Sequence, residues 1–143
     1  MAEIREFVIL GTPLSMQARS RSREIWKAKV RAAAEAAIPA EDQLSGLLHR
    51  DLRVWVVYFH VGEMDGDLDN LARPLLDGLT GAVWSNDRQI ACLTLRRVRR
   101  DADPPTRFEN VPAPISAALD NTRPNEEFVF VRAVPYSIDP RLP

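Results

Sequence analysis

Three aspartates flank one amphipathic segment of the chain. Asp67 and Asp69 stand at its start, separated by one residue, and Asp87 follows it. Acids grouped without matching bases are the ligands of hard divalent cations, since Mg²⁺ is usually held by one or two carboxylates with water and substrate phosphate. The pattern therefore indicates a metal site for phosphoryl chemistry, and we expect the three carboxylates to meet in one pocket.

The segment between these acids predicts a helix. Its apolar residues recur at helical spacing and form one continuous face, namely Leu68, Leu71, Ala72, Leu75, Leu76 and Leu79. The other face carries Asp69, Arg73 and Asp77, each four residues apart. We expect Asp67 or Asp69 to cap this helix. Pro74 lacks an N–H, so it should disturb the first turn.

Plainer interpretations of the same acids remain open. An aspartate at a helix start is ordinary capping, and Asp69, Arg73 and Asp77 could form a solvated salt-bridge ladder worth about 0.3–0.5 kcal/mol per pair. A calcium loop is excluded, because Asn70 stands where the loop needs glycine and Leu76 where it needs glutamate.

The segment resembles the signature of the RusA family of Holliday junction resolvases, which reads D-x-D-N-x-x-K, then D-A-L, then D-D-x-Q-[IV]. The opening LGTPLS, at residues 10–15, is similar to the family's first strand and G-x-P loop. The resemblance extends over residues 7–98. In this chain the signature reads Asp67-Leu-Asp69-Asn70-Leu-Ala-Arg73, Asp77-Gly78-Leu79 and Asn86-Asp87-Arg88-Gln89-Ile90.

The resemblance implies a Mg²⁺-dependent endodeoxyribonuclease that resolves four-way DNA junctions in recombination and repair. It further implies a homodimer whose two active sites cut opposite strands of the junction. The family's metal-binding acids fall on Asp67, Asp69 and Asp87. Its catalytic lysine falls on Arg73, which would stabilise charge on the phosphorane.

Two departures from the family pattern keep a second interpretation open. Arg73 keeps the positive charge of lysine but cannot give up a proton at any relevant pH. Asn86 replaces the first acid of the D-D pair, so one auxiliary carboxylate is lost. The alternative is therefore a DNA-junction-binding relative that has lost cleavage. A third possibility is a metal-binding structural domain without a nucleic-acid role.

Basic residues are concentrated on both sides of the acids, although the net charge is only −1. Such clusters suit contacts to the phosphate backbone around a metal site. The competing interpretations are a solvated helix face for the first cluster and charged protection of an edge strand for the second. The candidate DNA-binding residues are Arg19, Arg21, Arg23 and Lys27, then Arg96, Arg97, Arg99 and Arg100.

The order of the elements predicts a single α/β domain over residues 1–143, with a mixed sheet of about four strands and two main helices. Residues 16–22 should be a loop, 40–51 a linker and 135–143 a loosely ordered tail. His60 ends the second strand and could act as a general base, but a structural histidine is favoured. The predicted strands are 4–10, 52–60, 89–98 and 127–134, and the predicted helices 23–37, 68–79 and, shorter, 115–121.

The sequence also bears on the compartment. The single cysteine excludes a disulfide within the chain and fits a reducing compartment. The longest strongly apolar run of the sequence, residues 54–59, is far too short to span a bilayer, and we expect no signal peptide at the start of the chain. We therefore expect a cytoplasmic protein without a membrane association.

Overall fold

Four strands form one mixed sheet in the computed structural model, which describes residues 4–15, 17–38, 48–64 and 66–137. The strand order is β1-β4-β2-β3. β4 runs antiparallel to both of its neighbours, whereas β2 and β3 are parallel. The predicted α/β class with a mixed four-stranded sheet is confirmed. The strands are β1 (Arg5–Leu10), β2 (Leu52–His60), β3 (Ile90–Arg99) and β4 (Phe128–Pro135).

Within the described ranges, three α-helices accompany the sheet: α1 (Ser20–Ala36), α2 (Leu68–Leu79) and α3 (Ala113–Asn121). The two main helices were predicted from their apolar periodicity, and α2 runs through Pro74 without a break. α1 begins at Ser20, so Arg21 and Ser22 belong to the helix and not to the expected loop.

The two faces of the sheet bury two separate clusters of side chains. Alternation along β2 sends Val54, Val56 and Tyr58 toward α1 and α2, into the larger cluster. Phe59 points to the opposite face and joins the smaller cluster with residues of α3 and β4. A strand that is apolar on both faces is therefore covered on both faces, but to different extents.

Gly78 sets the distance between α1 and α2. A Cβ at this position would lie 3.1 Å from Cγ1 of Val30 and 3.3 Å from the carbonyl oxygen of Lys27. Glycine therefore lets the two helices approach closely. Arg31 of α1 also donates a hydrogen bond to the carbonyl oxygen of Thr80, just past α2, at 3.0 Å.

β1, β2 and β3 all run in one direction, which gives the sheet two distinct ends. At the carboxyl end these three strands finish and β4 begins, since Leu10 and Phe59 both pair with Phe128. At the amino end β2 and β3 begin side by side, with Leu52 opposite Ile90. α1 and α2 both start from the carboxyl end.

The predicted linker and tail fall largely on residues outside the described ranges. Of the linker at 40–51, only residues from 48 onward are described. Pro135 is the last residue of β4, and the N–H of Tyr136 donates to the carbonyl oxygen of Asp51 at 2.8 Å. The described part of the chain contains no helix with the length and apolar character that a membrane crossing requires.

Candidate functional site

Asp67 and Asp69 stand at the start of α2, at the carboxyl end of the sheet. Asp67 occupies the N-cap position, as expected, but its side chain makes no capping hydrogen bond. Both aspartates are exposed. Their charge suits the positive end of the helix dipole. Because capping does not occupy the Asp67 carboxylate, the plain capping interpretation does not account for it.

Asp87 lies at the opposite, amino end of the sheet. It opens a short 3-10 helix, Asp87–Gln89, that leads directly into β3. α2 has twelve residues and therefore separates its ends by about 18 Å. The expectation that Asp67, Asp69 and Asp87 meet in one pocket is thus wrong for a single chain.

The reason is the connection between β2 and β3. A helix that joins two parallel strands must return the chain to the end where the first strand began. Acids before and after that helix are therefore held apart. Across the described ranges, no group of three or more histidine, cysteine, aspartate or glutamate side chains is placed to hold a metal ion.

Gln89 fixes the turn that carries Asp87. Its Nε2 donates to the carbonyl oxygens of Leu48 and Arg50, at 2.8 and 2.9 Å. Its Oε1 accepts from the backbone N–H groups of Ser85 and Asn86, both at 2.9 Å. One amide side chain thus ties the turn before β3 to the segment before β2.

Asn86 has a structural task in the same turn. Its side-chain oxygen accepts the N–H of Arg88 at 2.8 Å and completes a capping box with Gln89. Asparagine and aspartate cap about equally well. The departure from the family's acid at this position therefore leaves the support of Asp87 intact.

Arg73 is exposed on the second turn of α2. In the part of the chain that the structure describes, no ion pair joins Asp69, Arg73 and Asp77, so the ladder considered for them is not formed. Arg73 is therefore directed to solvent beside the start of the helix. The ion pairs found among the described residues are Glu24–Lys27, Arg99–Asp101, Arg123–Glu126 and Glu6–Arg132.

Glu127 organises the carboxyl end, and sequence reasoning missed it. Its carboxylate accepts hydrogen bonds from the Thr12 hydroxyl at 2.7 Å, the Tyr58 hydroxyl at 2.6 Å and the backbone N–H of Val61 at 2.7 Å. Its backbone carbonyl accepts the N–H of Gly11 at 2.9 Å. One residue before β4 thus holds the loops that follow β1 and β2.

Opposing effects act on the pKa of Glu127. Partial burial acts to raise this pKa, but the hydrogen bonds from Tyr58, Val61 and Thr12 outweigh it, and the pKa is lowered. The carboxylate therefore stays ionised at neutral pH. Its sequence signal is weak, because a single glutamate before a strand has no periodic pattern.

His60 is buried at the end of β2. Its Nδ1 lies 2.9 Å from the carbonyl oxygen of Gly62, and its ring centroid lies 5.5 Å from that of Tyr58. These contacts agree with the favoured structural role.

A cavity of about 540 Å³ opens beside His60 at the carboxyl end of the sheet. It is lined by His60, Gly62, Glu63, Met64, Arg97 and Arg99.

The arginines of β3 divide into different environments. Arg97 and Arg99 line the cavity beside His60, whereas Arg96 lies on the other face. Arg100 turns inward and donates to Oγ1 of Thr122 and to the carbonyl oxygens of two further residues, Arg123 and Glu126. These hydrogen bonds from Nη1 tie Arg100 to the end of α3 and the loop before β4, and the DNA contact expected for Arg100 stays a prediction.

Asp101 connects Arg99 to the loop after β2. It accepts from Nε of Arg99 at 2.9 Å and from the N–H of Gly62 at 2.9 Å. The hydrogen bond from Arg99, followed by that from Gly62, lowers the pKa of Asp101 to about 2. This exposed contact orients Arg99 at the rim of the cavity.

The basic cluster of α1 begins at the same end of the sheet as Asp67. Arg19 directly precedes the helix, and Arg19 and Arg21 are exposed. Arg23 is half-buried, and Lys27 pairs with Glu24 at 3.6 Å. The carboxyl end thus combines two exposed acids with basic side chains from α1 and β3.

The sequence matches the model of a known protein family. The family model described as Endodeoxyribonuclease RusA matches residues 12–108. The matched region runs from the loop after β1 to beyond β3 and includes Asp67, Asp69, Arg73 and Asp87. No curated protein matches the chain.

Proposed function

Because the chain belongs to the RusA family of endodeoxyribonucleases, we propose that it cleaves four-way DNA junctions as a Mg²⁺-dependent homodimer. The observation that carries this proposal is the pair of available carboxylates at the start of α2. There Asp67 and Asp69 are exposed, and capping does not occupy Asp67. Arg97 and Arg99 line a cavity at the same end of the sheet.

Two carboxylates suit a Mg²⁺ ion that also binds substrate phosphate. Asp67 and Asp69 would hold the ion, and Asp87 of a second subunit would complete the set. A twofold dimer places the same surface of both subunits in contact, so an antiparallel arrangement brings unlike ends of the two sheets together. When bound, the ion supplies a hydroxide nucleophile and offsets negative charge.

Arg73 would stabilise the charge that develops on the phosphate. A guanidinium offers two parallel donors to phosphate oxygens, and Arg73 is exposed and four residues from Asp69. Since arginine keeps its proton, Arg73 acts through charge alone. The leaving oxygen would then take its proton from water.

The DNA backbone would lie across the carboxyl end. Arg19, Arg21 and Arg23 approach it from the start of α1, and Arg97 and Arg99 from the end of β3. Each phosphate contact releases counterions, so junction affinity should fall steeply as salt is raised.

The experiment is a fluorescent four-way junction incubated with purified protein, with and without Mg²⁺. We expect binding in both conditions and cleavage only with Mg²⁺. Asp69→Asn should abolish cleavage and leave binding equal or stronger, because it removes a negative charge that faces phosphates. Asp120→Asn makes the same change at an exposed position of α3 and should cleave as the wild type does.

The non-catalytic alternative predicts a different result. Junction binding with no nicking at any Mg²⁺ concentration would assign the chain to binding alone, and Arg73→Lys would then be the variant that restores cleavage. A protein without junction affinity at low salt would overturn both interpretations.

A further inference from the structure

A second cavity lies on the sheet face opposite α1 and α2. On that face α3 packs with Phe128 and Phe130 of β4 and with Phe59 and Val98, and the outer part of the β2–β3 surface remains open. The cavity has a volume of about 500 Å³, which is in the range of pockets that hold small organic ligands. We call it the groove. It is bounded by Trp55, Val57, Phe59, Arg96, Phe130, Arg132 and the loop at 106–112.

Aromatic rings and guanidinium groups share the surface of the groove. Phe108 is 36% exposed, and its ring centroid lies 5.9 Å from that of Phe59. Trp55 lies beneath two arginines, with Cζ of Arg53 at 4.7 Å and Cζ of Arg132 at 5.5 Å from its ring centroid. Such planar groups offer stacking surfaces for flat ligands.

The charge of the groove selects the class of occupant. Arg96, Arg107 and Arg132 line it, with Glu109 as the acid in the same lining. Arg132 is partly offset by Glu6, 3.5 Å away. A second copy of the chain packed symmetrically on this face would bring arginines against arginines. The groove therefore favours an occupant that is both planar and anionic.

β3 connects the groove with the carboxyl-end cavity. Because side chains alternate along a strand, Arg96 faces the groove while Arg97 faces the opposite side. β3 is an edge strand of the sheet, so positive charge continues around this edge from one cavity to the other. A nucleic-acid strand is long enough to follow such a path, whereas a small nucleotide is not.

We propose that the groove binds unpaired DNA, with one or two bases against its aromatic side chains and phosphates beside Arg96 and Arg107. Stacking of bases on aromatic rings together with a basic track is the usual basis of sequence-independent single-strand binding. Binding in the groove is independent of cleavage, because none of the candidate metal ligands lies on this face.

The test measures fluorescence anisotropy of a short labelled oligothymidine strand at low salt, without Mg²⁺. Replacing Arg96 and Arg107 together by glutamine should weaken binding about tenfold or more and reduce the salt slope by about 1.4, the value for two phosphate contacts. Arg123→Gln is the matched control, since that side chain is 85% exposed and lies outside the groove. It should change affinity less than about twofold.

Tryptophan fluorescence provides a second readout that does not depend on the arginines. Bound oligothymidine should quench the emission of the wild type, and Trp55→Phe should remove most of this quenching because Trp26 and Trp84 are buried. Circular dichroism and a thermal melt establish that each variant is folded.

Three results would overturn the proposal. The first is equal affinity of the double arginine variant and the Arg123→Gln control. The second is a change from dimer to monomer in the double variant with unchanged DNA binding, which would assign the face to a second copy. The third is binding of an acidic, aromatic peptide in the groove while oligothymidine does not compete.

Discussion

The two ends of the sheet carry acids in different settings. At the carboxyl end, Asp67 and Asp69 stand exposed beside basic side chains, and Glu127 holds the surrounding loops. At the amino end, Asp87 stands on a turn held by Gln89 and Asn86. The carboxyl end therefore offers two acids with positive charge nearby. The amino end offers one acid, on a turn that side-chain hydrogen bonds hold in place.

This difference indicates how a complete site could be assembled. Neither end has three acids within reach of one ion among the described residues, yet Asp67, Asp69 and Asp87 all lie within the region matched by the family. Two subunits related by a twofold axis contain two carboxyl ends and two amino ends, which is the number needed for two sites that each combine one end from either subunit. The separation of Asp87 from the other two acids thus favours sites shared between subunits.

The largest expected effect comes from replacing the acid at the amino end. If Asp87 belongs to the same site as Asp69, Asp87→Asn should reduce junction cleavage as strongly as Asp69→Asn does. Loss of a metal ligand removes several kcal/mol of transition-state stabilisation, which corresponds to about a thousandfold in rate. Single-turnover cleavage with Mg²⁺ measures it, and near-normal cleavage by Asp87→Asn would separate the two ends functionally.

Glu127→Gln should act on stability at the carboxyl end. The amide cannot reproduce all three charge-assisted hydrogen bonds, so we expect a loss of about 1–3 kcal/mol in the free energy of unfolding. Urea denaturation at neutral pH measures it. Glu126→Gln, the exposed neighbour, is the matched control and should change stability by less than about 0.5 kcal/mol.

The same variant has a defined pH dependence. The folded pKa of Glu127 is lowered below its ordinary value of 4.5, so its contribution is fully present above that value and is lost as pH falls through the folded pKa. The stability difference between wild type and Glu127→Gln should therefore shrink on acidification below about 4.5. A difference that stays constant down to acid pH would contradict the lowered pKa.

A smaller effect is expected from Gln89→Ala at the amino end. This change removes the hydrogen bonds that Gln89 Nε2 donates to the carbonyl oxygens of Leu48 and Arg50, and it loosens the turn that carries Asp87. Residues that orient metal ligands typically contribute 10–100-fold to affinity or activity. We expect about a tenfold higher Mg²⁺ requirement in the cleavage assay, with junction binding without Mg²⁺ unchanged. Gln17→Ala, at an exposed position, should show neither change.

Much of the fold could be predicted from the sequence because it rests on local patterns. β2 was predicted with its observed bounds, since nearly every residue from Leu52 to His60 is apolar or aromatic. α2 followed from its apolar face. The start of α1 was placed late because residues 19–23 are polar and extend no apolar face, although the helix begins at Ser20 with Ser20 and Arg21 exposed.

The arrangement of the site could be predicted less well from the sequence, because it depends on the direction of each strand in the sheet and on contacts between residues far apart in the chain. The sequence identified Asp67, Asp69 and Asp87 as a set, but their order along the chain does not reveal the sheet end at which each lies. Glu127 accepts a hydrogen bond from Tyr58, which is 69 positions away in the sequence, and no local pattern predicts such a contact. Asn86 suggested a lost ligand, whereas its bond to Arg88 identifies a cap.

The most direct test of shared sites is a mixture of two inactive proteins. Asp69→Asn and Asp87→Asn subunits, carrying different affinity tags, are co-expressed, and the mixed dimers are purified through both tags. In a shared arrangement, one site of each mixed dimer keeps Asp69 from one subunit and Asp87 from the other, so nicking of one junction strand should return. Mixed dimers as inactive as their parents, despite normal junction binding, would contradict the account.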